Sequence, residues 1–151
     1  MRLRDYQEAA ANGVFEAWKD NTSALAVLPT GLGKTVLFAE IIRRMHERGA
    51  RAMVLAHREE LITQAADKIK RVTGLEAQIE MGEYHVQSWW GDLPPVIVST
   101  VQTQCAGGDG AGRMSKFDPQ EFGLVVIDEA HHALARTYRI LWTKWPEAKF
   151  L

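Results

Sequence analysis

The chain has 151 residues, 46% hydrophobic and 25% charged. That is globular composition at one-domain length, able to bury roughly 70% of the unfolded surface. A single cysteine, Cys105, excludes an internal disulfide scaffold and fits a reducing, cytoplasmic compartment, and the net charge of −1 sets up no global field toward nucleic acid, so any such contact has to be local.

No apolar run approaches the ~20 residues that span a bilayer, and Met1 to Gln7 lacks the apolar centre of a signal peptide. Neither a membrane partner nor export is expected. Leu3 to Lys19 predicts a helix, with Leu3, Tyr6, Ala10, Val14 and Trp18 on one apolar stripe. Ser23 to Leu28 predicts a short buried strand, followed by a glycine-rich turn. Lys34 to Arg48 predicts a helix with Val36, Leu37, Ala39, Ile41 and Ile42 inward and Gly49 at its stop. Ala52 to Ala56 reads as a strand, and Glu59 to Val72 as a helix ended by Gly74, with acids first and bases last to suit the macrodipole. Further strands are expected at residues 76–81, at Val96 to Ser99 and at Leu124 to Ile127. A loop is expected over Ala106 to Gly112, a helix over His131 to Trp142, and another strand at Lys149 to Leu151. Strands alternating with helices predict an α/β fold, a parallel sheet with helices on both faces. Ligands in such folds sit at the carboxyl ends of the strands.

Two segments fall there. Pro29-Thr30-Gly31-Leu32-Gly33-Lys34-Thr35 lies between a predicted strand and a predicted helix. Its glycines let backbone N–H groups converge on phosphate oxygens, and the helix N-terminus adds partial positive charge. Lys34 is placed to reach the outer phosphates and the Thr35 hydroxyl to ligate Mg²⁺. The general P-loop pattern has glycine where this chain has Leu28. The second segment, Asp128-Glu129-Ala130-His131, closes a buried strand with two acids, which is costly without a partner or a task. Asp128 suits Mg²⁺ and Glu129 suits orienting or deprotonating the attacking water.

Together these segments resemble the first motor domain of superfamily 2 helicases of the DEAD/DEAH kind. Leu3-Arg4-Asp5-Tyr6-Gln7 is similar to that family's N-terminal segment, whose glutamine reads adenine. Val54-Leu55-Ala56-His57-Arg58-Glu59-Glu60-Leu61 and Ser99-Thr100-Val101-Gln102-Thr103 resemble two later motifs, and their form resembles the branch of double-strand-tracking repair helicases and restriction-enzyme motors. The resemblance implies a RecA-like P-loop NTPase domain over residues 1–151 that uses ATP and Mg²⁺ and moves along nucleic acid, DNA favoured over RNA. It implies that a second RecA-like domain, with its arginine finger, is missing, and that the chain stops just before the motif coupling hydrolysis to movement.

The implied nucleotide site is Gln7, Thr30, Gly31, Leu32, Gly33, Lys34 and Thr35. Lys34, Asp128 and Glu129 are the implied catalytic groups, Thr35 and Asp128 the Mg²⁺ holders, and His131 the link to the coupling motif. The implied nucleic-acid contacts are His57, Arg58, Thr100 and Gln102. Other readings stand beside these. Gln7 also reads as an exposed helix residue, and Tyr6 as base-stacking or core. His57 and Arg58 also read as helix-capping or salt-bridging, and Thr100 and Gln102 as strand-end hydrogen bonding. The arginines at 43, 44, 48 and 51 read as a solvated helix end. Trp89 and Trp90 read as core or as a stacking surface, and Cys105 as a bystander. No His/Cys spacing suggests zinc. Two alternatives to an enzyme half remain: a truncated nucleotide- and nucleic-acid-binding module with little turnover, or another class of P-loop NTPase.

Overall fold

The structure is a computed structural model that describes residues 3–26, 33–80, 94–100, 121–128, 135–145 and 148–151. Its strands are β1 (Ala52–Ala56), β2 (Ala77–Glu80), β3 (Val96–Thr100), β4 (Leu124–Ile127) and β5 (Lys149–Phe150), and its helices α1 (Asp5–Ala17), α2 (Lys34–Glu47), α3 (Glu59–Thr73) and α4 (Ala135–Lys144). The strands form one parallel sheet in the order β2-β3-β1-β4-β5. β1 and β4 are buried along their whole length, as apolar runs in a sheet covered on both faces must be.

Side chains alternate across a strand, so each run feeds two cores. Ala52, Val54 and Ala56 join Val96, Val98, Leu124 and Val126 against Leu37, Ile41 and Ile42 of α2, Ile62 and Ile69 of α3, and Val14 and Trp18 from α1 and its end. Met53, Leu55, Ile97, Val125 and Ile127 face the other way, against Ile140 and Leu141 of α4 with Trp145 beyond it, and Phe122. Helices therefore cover both faces, as the alternation predicts. Gly123 marks a close approach between chains entering β4 and β1. A Cβ there would lie 2.7 Å from that of Ala50.

Three sequence expectations need correction. The stripe buried on α1 is Gln7, Ala11 and Val14, with Trp18 just beyond; Tyr6 and Ala10 are only half-buried. The expected strand at Ser23 to Leu28 reduces, among the described residues, to one parallel bridge between Ser23 and Phe150. Phe150 donates its N–H to Thr22 O and accepts from Ala24 N, both at 2.9 Å; Leu25 is 73% exposed, and Val27 and Leu28 lie outside the described residues. Third, the arginines at the end of α2 are paired rather than merely solvated. Arg43 and Arg44 bind Glu40, Arg51 binds Glu121, and Arg48 lies 4.5 Å over the Phe15 ring.

The last helix runs to Lys144, two residues further than expected, and its expected start at His131 lies outside the described residues. So do the loop at 106–112, Trp89, Trp90 and Cys105. Gly49 and Gly74 adopt the left-handed conformation after α2 and α3 at the expected stops.

Candidate nucleotide site

A 14-residue helix is about 21 Å long, enough to run the full height of a five-residue strand. α2 ends at Glu47, and β1 starts five residues later at the amino edge of the sheet. The N-terminus of α2 therefore lies at the carboxyl edge, which is where β4 delivers Asp128. The Asp128 N–H donates to Leu55 O at 2.8 Å, so Asp128 sits beside the end of β1. Ala56 pairs with Thr100 in the neighbouring strand. The fold thus brings Lys34, Thr35, Asp128, His57, Arg58 and Thr100 to one edge.

Gly33 opens α2 with φ +76°, a conformation L side chains rarely adopt. Lys34 and Thr35 follow, both half-buried in the first turn. The first turn of any helix presents N–H groups that the helix itself does not use. α1 and α3 place acids there (Asp5 and Glu8; Glu59 and Glu60), whereas the first turn of α2 holds none. An anion is therefore not repelled at this end, and the donor set suits phosphate.

Gln7 is 5% exposed, so the exposed reading of this residue is overturned. Its Oε1 accepts the Arg4 N–H at 3.0 Å, closing the first turn of α1. Its Nε2 makes a long contact, 3.5 Å, to the Gly33 carbonyl, which also accepts the Leu37 N–H. Gln7 therefore lies directly on the residue that opens α2. Sequence reasoning singled out Gln7 and Gly33 separately but not their contact. Arg4 reaches the Tyr6 hydroxyl through Nη1 at 3.3 Å.

The other end of α1 is fixed as well. Trp18 Nε1 donates to Phe150 O at 3.0 Å, and Lys149 Nζ donates to Trp18 O at 3.0 Å and to Asn21 O at 3.2 Å. α1 has no basic residue in its own last turn, so Lys149 supplies the cation there.

Arg58 occupies the N-cap position of α3 with extended backbone and an exposed side chain that makes no capping bond. His57 is half-buried. Thr100 is buried in β3, whose Ser99 hydroxyl donates to Glu80 O at 2.6 Å. Thr30, Gly31, Leu32, Gln102, Glu129 and His131 lie outside the described residues.

The Gly33 geometry has a direct consequence. A Cβ at Gly33 would lie 2.6 Å from Gln7 Nε2. Gly33→Ala is expected to lower stability by about 1–2 kcal/mol, from the left-handed backbone and the displaced amide. Urea unfolding measures it, and a loss under about 0.5 kcal/mol would contradict the placement.

Comparison with known proteins adds a second line. The family profile described as "Type III restriction enzyme, res subunit" matches residues 1–151. The chain is 35% identical over 146 residues to the "Putative ATP-dependent helicase IRC3" of Saccharomyces cerevisiae, covering 91% of this chain and 20% of that one. It is 31% identical over 140 residues to the "DNA 3'-5' helicase XPB" of Mycobacterium tuberculosis, covering 92% of this chain and 24% of the other. Among solved structures, the helicase domain of Hef from Pyrococcus furiosus superposes with TM-score 0.73 at 28% identity, over 98% of this chain and 31% of that one. The UvsW helicase of bacteriophage T4 superposes with TM-score 0.76 at 20% identity, over 99% of this chain and 51% of that one, which supports the RecA-like fold. The chain spans about a fifth of the length of the first curated relatives it matches.

Proposed function

The chain belongs to the family of the type III restriction enzyme res subunit, and from that premise we propose that it is the ATP-binding half of a motor that hydrolyses ATP with Mg²⁺ to move along DNA. One observation carries the reading. A left-handed Gly33 opens α2 into Lys34 and Thr35, with no acid in that first turn and the Gln7 amide against the turn.

In this reading Gly31, Gly33, Lys34 and Thr35 hold the phosphates, with Thr30 and Leu32 shaping the turn, and Gln7 reads adenine. Thr35 and Asp128 hold Mg²⁺, which when bound offsets phosphate charge. Glu129 orients the attacking water and takes its proton. His131 links this edge to the coupling motif. His57, Arg58, Thr100 and Gln102 contact the nucleic-acid backbone, Arg58 through an exposed charge. DNA is favoured because relatives such as XPB are named DNA helicases. Among the described residues no helix is long and apolar enough to cross a membrane. We place the protein inside the cell, where its nucleotide is.

A second RecA-like domain completes the motor in this proposal, consistent with the small share of each relative that the chain spans. Without an arginine finger, transition-state charge loses a contribution worth roughly 10³-fold or more, so the chain alone is expected to bind nucleotide but turn it over little. The test is calorimetric titration with Mg·ADP. Saturable binding at one site is expected; absence of heat at millimolar nucleotide overturns the reading. Hydrolysis by this chain alone at a motor-like rate would overturn the requirement for a second domain.

A further inference from the structure

Gln7 is held by a helix that also carries a second stripe, facing α2. Glu8, Asn12 and Phe15 recur at four- and three-residue steps beside the buried Gln7, Ala11 and Val14. Opposite them, α2 presents Glu40, Arg44 and Arg48 at four-residue steps. The Arg44 guanidinium spans the two helices. Its Nη2 donates to Glu8 Oε1 at 2.8 Å, its Nη1 to Asn12 Oδ1 at 2.9 Å and its Nε to Glu40 Oε1 at 2.9 Å. Glu40 is also gripped by Arg43 from Nη2 at 2.7 Å and from Nε at 2.9 Å. Hydrogen bonding from Arg43, opposed by burial and joined by Arg44, holds the Glu40 carboxyl below its ordinary range. Arg44 is therefore braced on its own helix before it reaches α1, and Arg48 and Arg44 both lie over Phe15.

These contacts tie α1 to α2 through Glu8, the side chain next to Gln7, and through Asn12, beside the core packing and the Trp18 and Lys149 bonds that hold the rest of α1. We propose that Arg44 is a positioning residue that acts through Glu8 and Asn12 to seat Gln7, and so sets how sharply the site separates adenine from other bases. The inference rests on the reading of Gln7 as the base-reading residue. Arg44 touches no nucleotide in it. A lysine could not replace it, because the donors of an ammonium converge on one nitrogen and cannot span acceptors spread around a planar fork.

The test uses the exposed partners, Glu8 with a side chain 52% exposed and Asn12 on the surface, whose truncation leaves Arg44 on Glu40. Calorimetry would compare Mg·ADP, Mg·GDP and pyrophosphate on the wild type, Gln7→Ala, Glu8→Gln, and Glu8→Ala combined with Asn12→Ala. Removing both arms is expected to lower the ADP-over-GDP preference by roughly threefold to tenfold, the scale of one or two exposed charge contacts. Pyrophosphate affinity should stay unchanged. Glu8→Gln keeps an acceptor oxygen and should retain most of the preference. Parallel weakening of all three ligands would overturn the proposal, since a purely structural clamp behaves that way, and would leave the base-reading role of Gln7 intact. No preference in the wild type, or none lost in Gln7→Ala, would overturn that role and the clamp with it.

Discussion

Lys34→Ala is expected to weaken Mg·ADP binding about 100-fold or more while leaving thermal stability almost unchanged. The loss is large because an ammonium facing two phosphate oxygens makes charge-assisted hydrogen bonds worth about 1.5–3 kcal/mol each. Two such bonds amount to roughly two to four decades of affinity. The stability term is small because alanine is the better helix former and Lys34 is only half-buried in the first turn of α2. Calorimetry and thermal melting on the same two proteins separate the effects. Equal affinity in mutant and wild type would remove Lys34 from the site, and with it the reading of Gly33 to Thr35 as a phosphate turn. A melting temperature lowered in step with affinity would mean that Lys34 holds the fold instead.

The asymmetry between those effects explains what was legible in the sequence. Strand runs such as Ala52 to Ala56 and Leu124 to Ile127 are short, apolar and bounded by turns, and their burial depends on the layer architecture alone. The proposed phosphate turn and the acidic strand end are equally local signals, because each needs a fixed order of residue types next to one element. What stayed hidden depends on distant partners. Gln7 is singled out by the resemblance, but its contact with Gly33 is invisible until α2 arrives from 26 residues away. Arg44 of α2 looks like part of a solvated helix end until Glu8, 36 residues before it, meets it. Lys149 caps α1 from 131 residues away, with no signal in either segment. The apolar stripe on α1 was misplaced for the same reason. Tyr6 and Ala10 fit the period as well as Gln7 and Ala11 do, and only the position of α2 decides between the two faces.

Trp145→Ala is expected to cost about 3–5 kcal/mol, the largest stability loss of any substitution considered, and to leave the order of nucleotide preferences untouched. Trp145 is 0% exposed and meets Phe122 edge-on, with centroids 5.2 Å apart and planes at 84°. Among the described residues, the core on this face is smaller than the one under α1, α2 and α3, and α4 is the helix that covers it. Trp145→Phe makes the sharper comparison. Among the described residues, the buried indole Nε1 finds no hydrogen-bond partner. Phenylalanine gives up packing volume but also removes an unsatisfied donor worth about 1–3 kcal/mol, so its net cost should be far below that of alanine. Urea unfolding of the three proteins decides between packing and polarity. Equal costs for the two variants would mean that the indole N–H is satisfied by a group beyond the described residues. If Trp145→Ala instead changed the ADP-over-GDP preference, the face under α4 and the Gln7 edge would be energetically coupled through the sheet, and the two sides of the fold could no longer be assigned separate roles.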